Sequence, residues 1–412
     1  MKQIVVIGAG AAGLMAAGVA ASRGSRVVLL EKNDRAGKKL RITGKGRCNL
    51  TTAVDRDDLI KGFPGNGRFL YSAFHSFSND DVREFFHARG METKVERGNR
   101  VFPVSDKAED VVRILRDFVM QNGTNVIYNE AVSQITLHEG KVHAVKSKDK
   151  EYRADAVILA TGGMSYPTTG STGDGYRLAE RLGHSIVQPR PGLVPLVADE
   201  PWVKDLQGLS LKNVKAVSYN DKGKKINEDF GEMLFTHFGI SGPIILSMSR
   251  DIGDYIYKKQ KNVKVMLDLK PALSAEKMDE RLQRDFDKYS RKMFKNALQD
   301  LLPQKLIPVI ITLSGIDPEK ECHHITREER HTLGYLLKNF SITISQTRPI
   351  KEAIVTAGGV NVKEVDPKTM ESRLIQGLYL AGEVMDIDGY TGGFNLQAAF
   401  STGFLAGQYA SE

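Results

Sequence analysis

The chain has 412 residues, of which 41% are hydrophobic and 26% charged, with a formal net charge of +8. This composition is that of a folded globular protein and excludes a disordered or fibrous chain. Two cysteines, Cys48 and Cys322, are too few for a disulfide framework or a cysteine-based zinc site, so we expect a cytoplasmic protein. The positive charge is consistent either with an acidic partner or with solubility alone.

The N-terminal residues predict a βαβ unit. Residues 4–7 form a β-branched run typical of a buried strand, residues 8–23 predict a turn and an alanine-rich helix, and residues 26–30 predict a second strand. Two strands joined in this way lie parallel. The uncharged stretch 4–21 contains four glycines, which disfavours a signal peptide or a membrane span. We expect no membrane partner.

The sequence GAGAAG after the first strand matches the G-x-G-x-x-G fingerprint of dinucleotide-binding folds, with an acid, Glu31, at the end of the second strand. Gly8 permits the tight turn, Gly10 lets the backbone approach a pyrophosphate, and Gly13 lets helix and strand pack closely. The helix N-terminus at Ala12 offers N–H groups to phosphate. We expect Glu31 to accept hydrogen bonds from the adenosine ribose.

The C-terminal residues distinguish between the possible dinucleotides. Glu31 disfavours the 2′-phosphate of NADP, which leaves NAD and FAD. The predicted strand 378–381 ends in Gly382 and Glu383, as does the late strand of fumarate-reductase-like flavoproteins that carries an acid to the FAD ribityl chain. An NAD dehydrogenase has no need of this element, so we predict FAD.

Two further motifs support FAD. Thr161 and Gly162 follow the predicted strand 156–159 and resemble the A-T-G-G turn of the same superfamily. Gly392 and Gly393 open a predicted helix whose N-terminus would face the flavin pyrimidine edge. We expect Asn395 and Leu396, in its first turn, to contact the cofactor. The chain has no second fingerprint, so NAD(P)H is expected to bind only transiently, as the small-molecule electron donor.

Three longer motifs resemble the signatures of one bacterial flavoprotein family. They are GKKLRITGKGRCN at 37–49, GEMLFTHFGISGP at 231–243 and TGGFNLQ at 391–397. The resemblance, to the BaiN/RdsA-type NAD(P)/FAD-dependent oxidoreductases, extends over the whole chain. Members are described as reductases of conjugated C=C bonds in bile-acid-like steroids, as aminoacetone oxidases, and as dihydrouridine synthases of large-subunit ribosomal RNA. The resemblance therefore leaves the substrate open.

The order of elements predicts an α/β fold with an insertion. The resemblance implies a Rossmann-like FAD-binding domain built from both termini, a β-barrel-like domain and a helical insertion. Short alternating strands between about 190 and 270 and a Lys-, Glu- and Leu-rich segment after them agree with this order. We place the FAD-binding domain at 1–190 and 346–412, the barrel at 191–272 and 341–345, and the helical insertion at 273–340.

A basic, glycine-rich segment follows Glu31. Residues 32–47 contain seven basic side chains against one acid, which is more than a pyrophosphate needs. We expect FAD contacts from Lys32, Lys39, Gly44 and Arg47. The excess charge is either a solvated loop or a track for a substrate phosphate.

Reduction of a polarised C=C bond needs a proton donor beside the flavin. Cys48 is one candidate, because its basic neighbourhood would lower its pKa, and it is also an expected cofactor contact. Its alternative role is that of a small buried residue beneath the cofactor. His237, at a predicted strand end, is the other candidate, with a structural role as its alternative. Adjacent Cys322 and His323 do not predict a metal site.

Three functional hypotheses remain. The first is an FAD-dependent reductase of uracil in ribosomal RNA, with basic residues of the inserted regions as an RNA surface. The second is a small-molecule flavoenzyme, either an enone reductase or an amine oxidase. The third is a non-catalytic protein that binds flavin and RNA. No DNA partner is expected.

Overall fold

The computed structural model describes residues 1–412. Its strands are β1 (Gln3–Ile7), β2 (Arg26–Leu30), β3 (Thr51–Thr52), β4 (Thr93–Glu96), β5 (Arg100–Pro103), β6 (Asn125–Ile127), β7 (Val132–His138), β8 (Lys141–Ser147), β9 (Glu151–Arg153), β10 (Ala156–Leu159), β11 (Ile186–Gly192), β12 (Leu196–Ala198), β13 (Ser210–Tyr219), β14 (Lys225–Thr236), β15 (Gly239–Ser241), β16 (Val263–Asp268), β17 (Phe340–Thr347), β18 (Val355–Val360) and β19 (Leu378–Leu380). Its α-helices are α1 (Ala11–Ser22), α2 (Lys38–Ile42), α3 (Arg56–Lys61), α4 (Tyr71–Ser76), α5 (Asn79–His87), α6 (Ala108–Gln121), α7 (Asp174–Arg181), α8 (Pro243–Lys259), α9 (Ala275–Lys288), α10 (Ile307–Ser314), α11 (Arg327–Lys338) and α12 (Phe394–Ala410). No helix combines the length and apolar character that crossing a membrane requires.

The chain divides into two compact units. Unit 1 consists of Met1–Gly192 and Ile350–Glu412, and unit 2 is the continuous segment Leu193–Pro349. Unit 1 therefore contains both chain ends. Within unit 2, the segment expected to be a separate helical insertion shares one hydrophobic core with the barrel, because Leu282 and Phe286 of α9 belong to the same buried cluster as the barrel residue Val265.

The centre of unit 1 is a parallel sheet of five strands in the order β19-β10-β1-β2-β6. The predicted βαβ unit, β1-α1-β2, forms its middle. The side chains of β10 are buried along the whole strand, as expected where helices cover both faces of a parallel sheet. The carboxyl ends of β1, β10 and β19 lie side by side, which places three of the predicted motifs at one edge of the sheet.

Helices α1 and α12 approach each other at backbone distance. A Cβ atom added to Gly403 would lie 2.4 Å from the carbonyl oxygen of Ala12, and one added to Gly407 would lie 2.4 Å from that of Ala16. Nearly every residue of α1 is buried, so the helix is apolar on all sides. This contact fixes the C-terminal helix directly on the helix that follows the GAGAAG turn.

Unit 2 contains a closed antiparallel barrel in the order β12-β15-β14-β13-β16-β17. In β16, Val263, Val265 and Leu267 are buried, whereas the residues between them are exposed or half-buried. This alternation is the one that the sequence predicts. The expectation of short strands throughout the region is wrong for α8, which begins at Pro243 and buries residues at helical spacing.

We predict that Gly403→Ala lowers the free energy of unfolding by about 1–3 kcal/mol, because its Cβ forces α12 away from α1. Gly334 in α11 is the matched control, since a Cβ there meets its nearest neighbour at 3.5 Å, an ordinary contact. Gly334→Ala should be neutral or stabilise by up to about 1 kcal/mol through helix propensity. Urea unfolding of both variants measures the difference, and equal stabilities would contradict the packing argument.

Candidate functional site

The three glycines of the GAGAAG turn are required for three different reasons. Gly8 has a φ of +102°, and a Cβ on it would lie 2.6 Å from the carbonyl oxygen of Ala160. A Cβ on Gly13 would lie 1.8 Å from the carbonyl oxygen of Gly8, so this glycine lets α1 pack against the turn. Around Gly10 no protein atom lies within 4 Å of the added Cβ. The backbone at Gly10 is thus open to a ligand.

The N-terminus of α1 adjoins this opening. The first intrahelical bond is donated by the Leu14 N–H to the carbonyl oxygen of Gly10, over 2.9 Å. The preceding amides, including that of Ala12, therefore have no partner within the helix, and the N-cap residue Gly10 supplies no capping side chain. Free N–H groups and the positive end of the helix dipole make this a site for a phosphate group.

Glu31 braces the turn from the end of β2. Its carboxylate accepts a hydrogen bond of 2.8 Å from the Ala9 N–H, one of 2.9 Å from the Asn33 N–H and one of 2.6 Å from the Asn33 side-chain amide. Only 8% of the residue is exposed. The structure therefore gives Glu31 a role in holding the turn, and its contact with a ribose stays a prediction.

The motif after β19 lies against the same turn. Gly382 has a φ of +75°, and a Cβ on it would lie 2.9 Å from the Cβ of Ala12. The Glu383 carboxylate accepts hydrogen bonds from the Thr356 N–H at 2.8 Å and the Ser165 hydroxyl at 3.1 Å. Lys39 forms an ion pair with it at 2.7 Å. Glu383 thereby connects the basic segment with the C-terminal strand.

The A-T-G-G turn after β10 completes this edge of the sheet. Gly162 has a φ of +72°, and a Cβ on Gly163 would lie 3.1 Å from Glu383 Oε1. The Thr161 hydroxyl is enclosed beside Gly175, where an added Cβ would approach it to 2.0 Å. Its side chain therefore packs inside the protein, so any contact of this residue with a cofactor would come from its backbone.

The two glycines before α12 place the N-terminus of that helix. Gly393, with a φ of +101°, lies so close to Thr51 that a Cβ would be 2.2 Å from its carbonyl oxygen. The first intrahelical bond runs from the Gln397 N–H to Gly393, which leaves the amides of Asn395 and Leu396 directed out of the helix end. The Asn395 side chain accepts from the Gly389 N–H at 2.8 Å and donates to the carbonyl oxygens of Gly389 at 2.9 Å and Tyr390 at 3.2 Å.

Sequence reasoning missed two residues that join the motifs. Asn49 Oδ1 accepts a hydrogen bond of 3.0 Å from the Gly393 N–H. The Thr51 hydroxyl bonds to the buried Gln397 side chain at 2.5 Å. Asn49 stands directly after Cys48 in the GKKLRITGKGRCN motif, and its place in that motif could have identified it as a residue of the site.

The basic segment 32–47 is largely neutralised within unit 1, which corrects the idea of a free excess charge. Of its seven basic side chains, Lys45 alone forms no ion pair or hydrogen bond. The six others pair with carboxylates: Lys32 with Asp174, Arg35 and Lys38 with Asp34, Lys39 with Glu383, Arg41 with Glu109, and Arg47 with Glu96 and Asp106.

These pairs limit what the segment can bind. The Arg47 guanidinium also lies 4.1 Å above the Phe102 ring, so it is held away from a role as a free phosphate ligand. Gly44 supports the neighbouring turn, since its φ is +56° and a Cβ would lie 2.9 Å from the Asn49 nitrogen. The expected FAD contacts of Lys32, Gly44 and Arg47 stay predictions.

Cys48 does not have the environment that the sequence predicts. Protein atoms alone enclose it completely, and burial raises the pKa of its thiol to about 12. The predicted lowering of this pKa by basic neighbours is wrong, because those neighbours are paired with carboxylates and the thiol is desolvated. Cys48 therefore fits the alternative role of a small buried residue.

His237 lies in unit 2, at the turn between β14 and β15, and is exposed. Its ring packs edge-on against that of Phe238, with centroids 4.9 Å apart. The side chain forms no hydrogen bond, so it is available as a proton donor. The residues predicted to contact the dinucleotide, in contrast, all belong to unit 1.

Comparison with known proteins gives a match over nearly the whole chain. A family model described as HI0933-like protein Rossmann domain matches residues 2–409. The chain is 34% identical to a 3-dehydro-bile acid delta(4,6)-reductase of Clostridium scindens, over 100% of both chains. It is 30% identical to a ribosomal RNA dihydrouridine synthase of Haemophilus influenzae, over 97% of this chain and 96% of the relative.

Among solved structures, the fold is similar to that of a 3-ketosteroid delta1-dehydrogenase from Sterolibacterium denitrificans. The TM-score is 0.54, and the match covers 100% of both chains at 13% sequence identity. At this identity the similarity concerns the fold alone.

We predict that Gly10→Ala separates cofactor binding from folding. Its Cβ meets no protein atom and its φ of −83° suits alanine, so the stability of the cofactor-free chain should not change. Affinity for FAD should fall at least about tenfold, since the Cβ stands where the pyrophosphate approaches. Absorbance of bound flavin per chain and urea unfolding provide the two measurements. Normal flavin retention in this variant would refute the assignment.

Proposed function

We propose that this chain reduces the conjugated C=C bond of a uracil in large-subunit ribosomal RNA. The chain belongs to the HI0933-like Rossmann family of FAD-dependent oxidoreductases, and the proposal proceeds from that membership. The open backbone at Gly10, the free amides at the start of α1 and the glycines before α12 fit FAD. The chain aligns over 97% of its length with a ribosomal RNA dihydrouridine synthase, and this similarity supports a uracil of ribosomal RNA as the substrate.

The distribution of charged side chains is the observation that favours a polyanionic substrate. The net charge of +8 is not located in the segment 32–47, where carboxylates neutralise the basic side chains. Unit 2 instead presents exposed lysines that form no ion pair, among them Lys222, Lys224 and Lys259. Uncompensated lysines favour a phosphate backbone over an apolar steroid.

A steroid or other enone remains the second candidate, because the chain is also 34% identical to the bile-acid reductase. Both substrates contain a C=C bond conjugated to a carbonyl group. In either case hydride adds to the β carbon and a proton to the α carbon, which in uracil are C6 and C5. The same flavin site would serve both reactions.

When bound, FAD supplies the hydride from its flavin N5, and NAD(P)H restores the reduced cofactor. The residues of unit 1 bind and orient it. Gly10 and the amides at Ala12 would hold the pyrophosphate, and Glu383, oriented by Lys39, would bind the ribityl chain. The amides of Asn395 and Leu396 would stabilise negative charge on the reduced flavin through the positive end of α12.

The proton for the α carbon needs a donor, and we expect it to be His237 rather than Cys48. The Cys48 thiol is fully enclosed by protein, and burial raises its pKa to about 12, which makes it a poor proton donor. A positioned histidine contributes roughly 100-fold or more to proton transfer, so His237→Asn should lower turnover by about that factor. Cys48→Ala should change turnover by less than about threefold, as expected for a group outside proton transfer.

Both variants should retain bound FAD and its reduction by NAD(P)H, which checks folding and the first half-reaction separately. A large loss in Cys48→Ala with normal turnover in His237→Asn would reverse the assignment.

Deletion of the gene should remove one dihydrouridine from large-subunit ribosomal RNA. Mass mapping detects it, since uridine is two hydrogens lighter than dihydrouridine. The intact gene should restore the modification, and the Gly10→Ala gene should restore less of it. Unchanged dihydrouridine in the deletion strain would refute the RNA substrate. Reduction of a 3-oxo-4,6-diene bile acid by the purified enzyme would then support the second candidate.

A further inference from the structure

The outer surface of the barrel in unit 2 carries a groove of about 860 Å³. It runs along β13 and β16 and is bordered by the turn after β13 and the loop after α8. We call it the lysine groove. Its lining includes Val217, Tyr219, Asp221, Lys261, Lys264 and Met266.

The floor of the lysine groove is apolar and aromatic because of strand alternation. In β13, Ala216 and Ser218 are buried in the barrel, so Val217 and Tyr219 point outward. Val217 pairs across the strands with Met266, and Tyr219 pairs with Lys264. An outward-facing valine, methionine and tyrosine in a recess form a surface on which a flat ring can stack.

The rim of the lysine groove is cationic. Lys261 and Lys264 lie in its wall, Lys222 and Lys224 flank Gly223, and Lys259 ends α8. All five are exposed, and none forms an ion pair.

One of the two carboxylates that line the groove is neutralised by a lysine. Asp221 accepts a hydrogen bond from the Tyr255 hydroxyl, and Asp268 pairs with Lys338 at 2.6 Å. Lys215, in the same wall, pairs with Glu228 at 3.1 Å. The Tyr255 hydroxyl is neutral and leaves the charge of Asp221 in place, so the five rim lysines face one uncompensated carboxylate and the rim keeps a positive charge, in contrast to the basic segment 32–47 of unit 1.

We propose that the lysine groove binds a single-stranded segment of ribosomal RNA, with phosphates on the rim lysines and a base on the floor at Tyr219. A cationic groove with an aromatic surface is the arrangement by which proteins hold single strands without reading their sequence. The recessed floor does not fit a flat lipid surface, which would contact the rim alone. This inference rests on the proposed function, because it concerns how the RNA substrate is held.

The test uses the full-length holoenzyme and a fragment of large-subunit ribosomal RNA from the deletion strain. The variant Lys261→Glu/Lys264→Glu reverses two charges in the wall. Lys363→Glu/Lys368→Glu is the matched control, with the same change of net charge on exposed, unpaired lysines of unit 1. Both should contain one FAD per chain.

RNA affinity should fall at least about tenfold in the groove variant and by less than about twofold in the control. The slope of log affinity against log salt should decrease by about 1.4, which corresponds to two lost phosphate contacts on a single strand. Tyr219→Leu keeps the apolar floor but removes the stacking ring, so it should weaken binding about fivefold or more with an unchanged salt slope.

Dihydrouridine formation by the wild-type enzyme separates this inference from the proposed function. If the wild type modifies the RNA and both double variants bind it equally well, the lysine groove is refuted and the function stands. If the wild type neither binds nor modifies the RNA, both fail. Binding to vesicles of phosphatidylglycerol and phosphatidylcholine that depends on Lys261 and Lys264, without RNA binding, would assign the groove to a membrane surface and overturn the proposal.

Discussion

The candidate site depends on two close backbone contacts of α1, one with the turn at Gly8 and one with α12. Gly13 lets the helix lie against the turn at Gly8, and Gly403 lets α12 lie against Ala12, in both cases where a single methyl group would collide with a carbonyl oxygen. Because these contacts are made by backbone atoms, they tolerate almost no displacement. The two ends of a 412-residue chain are thereby held at one edge of a parallel sheet.

Hydrogen bonds then join the motifs that these contacts bring together. Asn49 accepts from the amide of Gly393, and Glu383 connects Lys39 with Thr356. Each bond spans a long stretch of sequence and is partly or wholly protected from water, where an unmade bond costs about 1–3 kcal/mol. These bonds fix the motifs relative to one another, and a preorganised set of groups orients a cofactor with little reorganisation.

Charge is treated differently in the two units. In unit 1 the basic side chains that follow Glu31 are matched by carboxylates, so they stabilise the fold and leave Lys45 alone unpaired. In unit 2 the five rim lysines of the lysine groove form no ion pair. A chain with a modest net charge can thus present a strongly cationic surface in one place. A polyanion would bind to that local surface, whatever the net charge of the chain.

The sequence by itself determined the βαβ unit, the tight turn at Gly8, the close packing at Gly13, the barrel alternation and the presence of the motifs at both ends, because each depends on local spacing. It did not reveal α8, the bonds of Asn49 and Thr51, or the partners of Arg47. It also gave the wrong sign for the pKa of Cys48, which depends on desolvation and on where distant carboxylates lie. Tertiary contacts between residues far apart in the chain decided which basic side chains are ion-paired. They also decided whether the Cys48 thiol is exposed to solvent or buried.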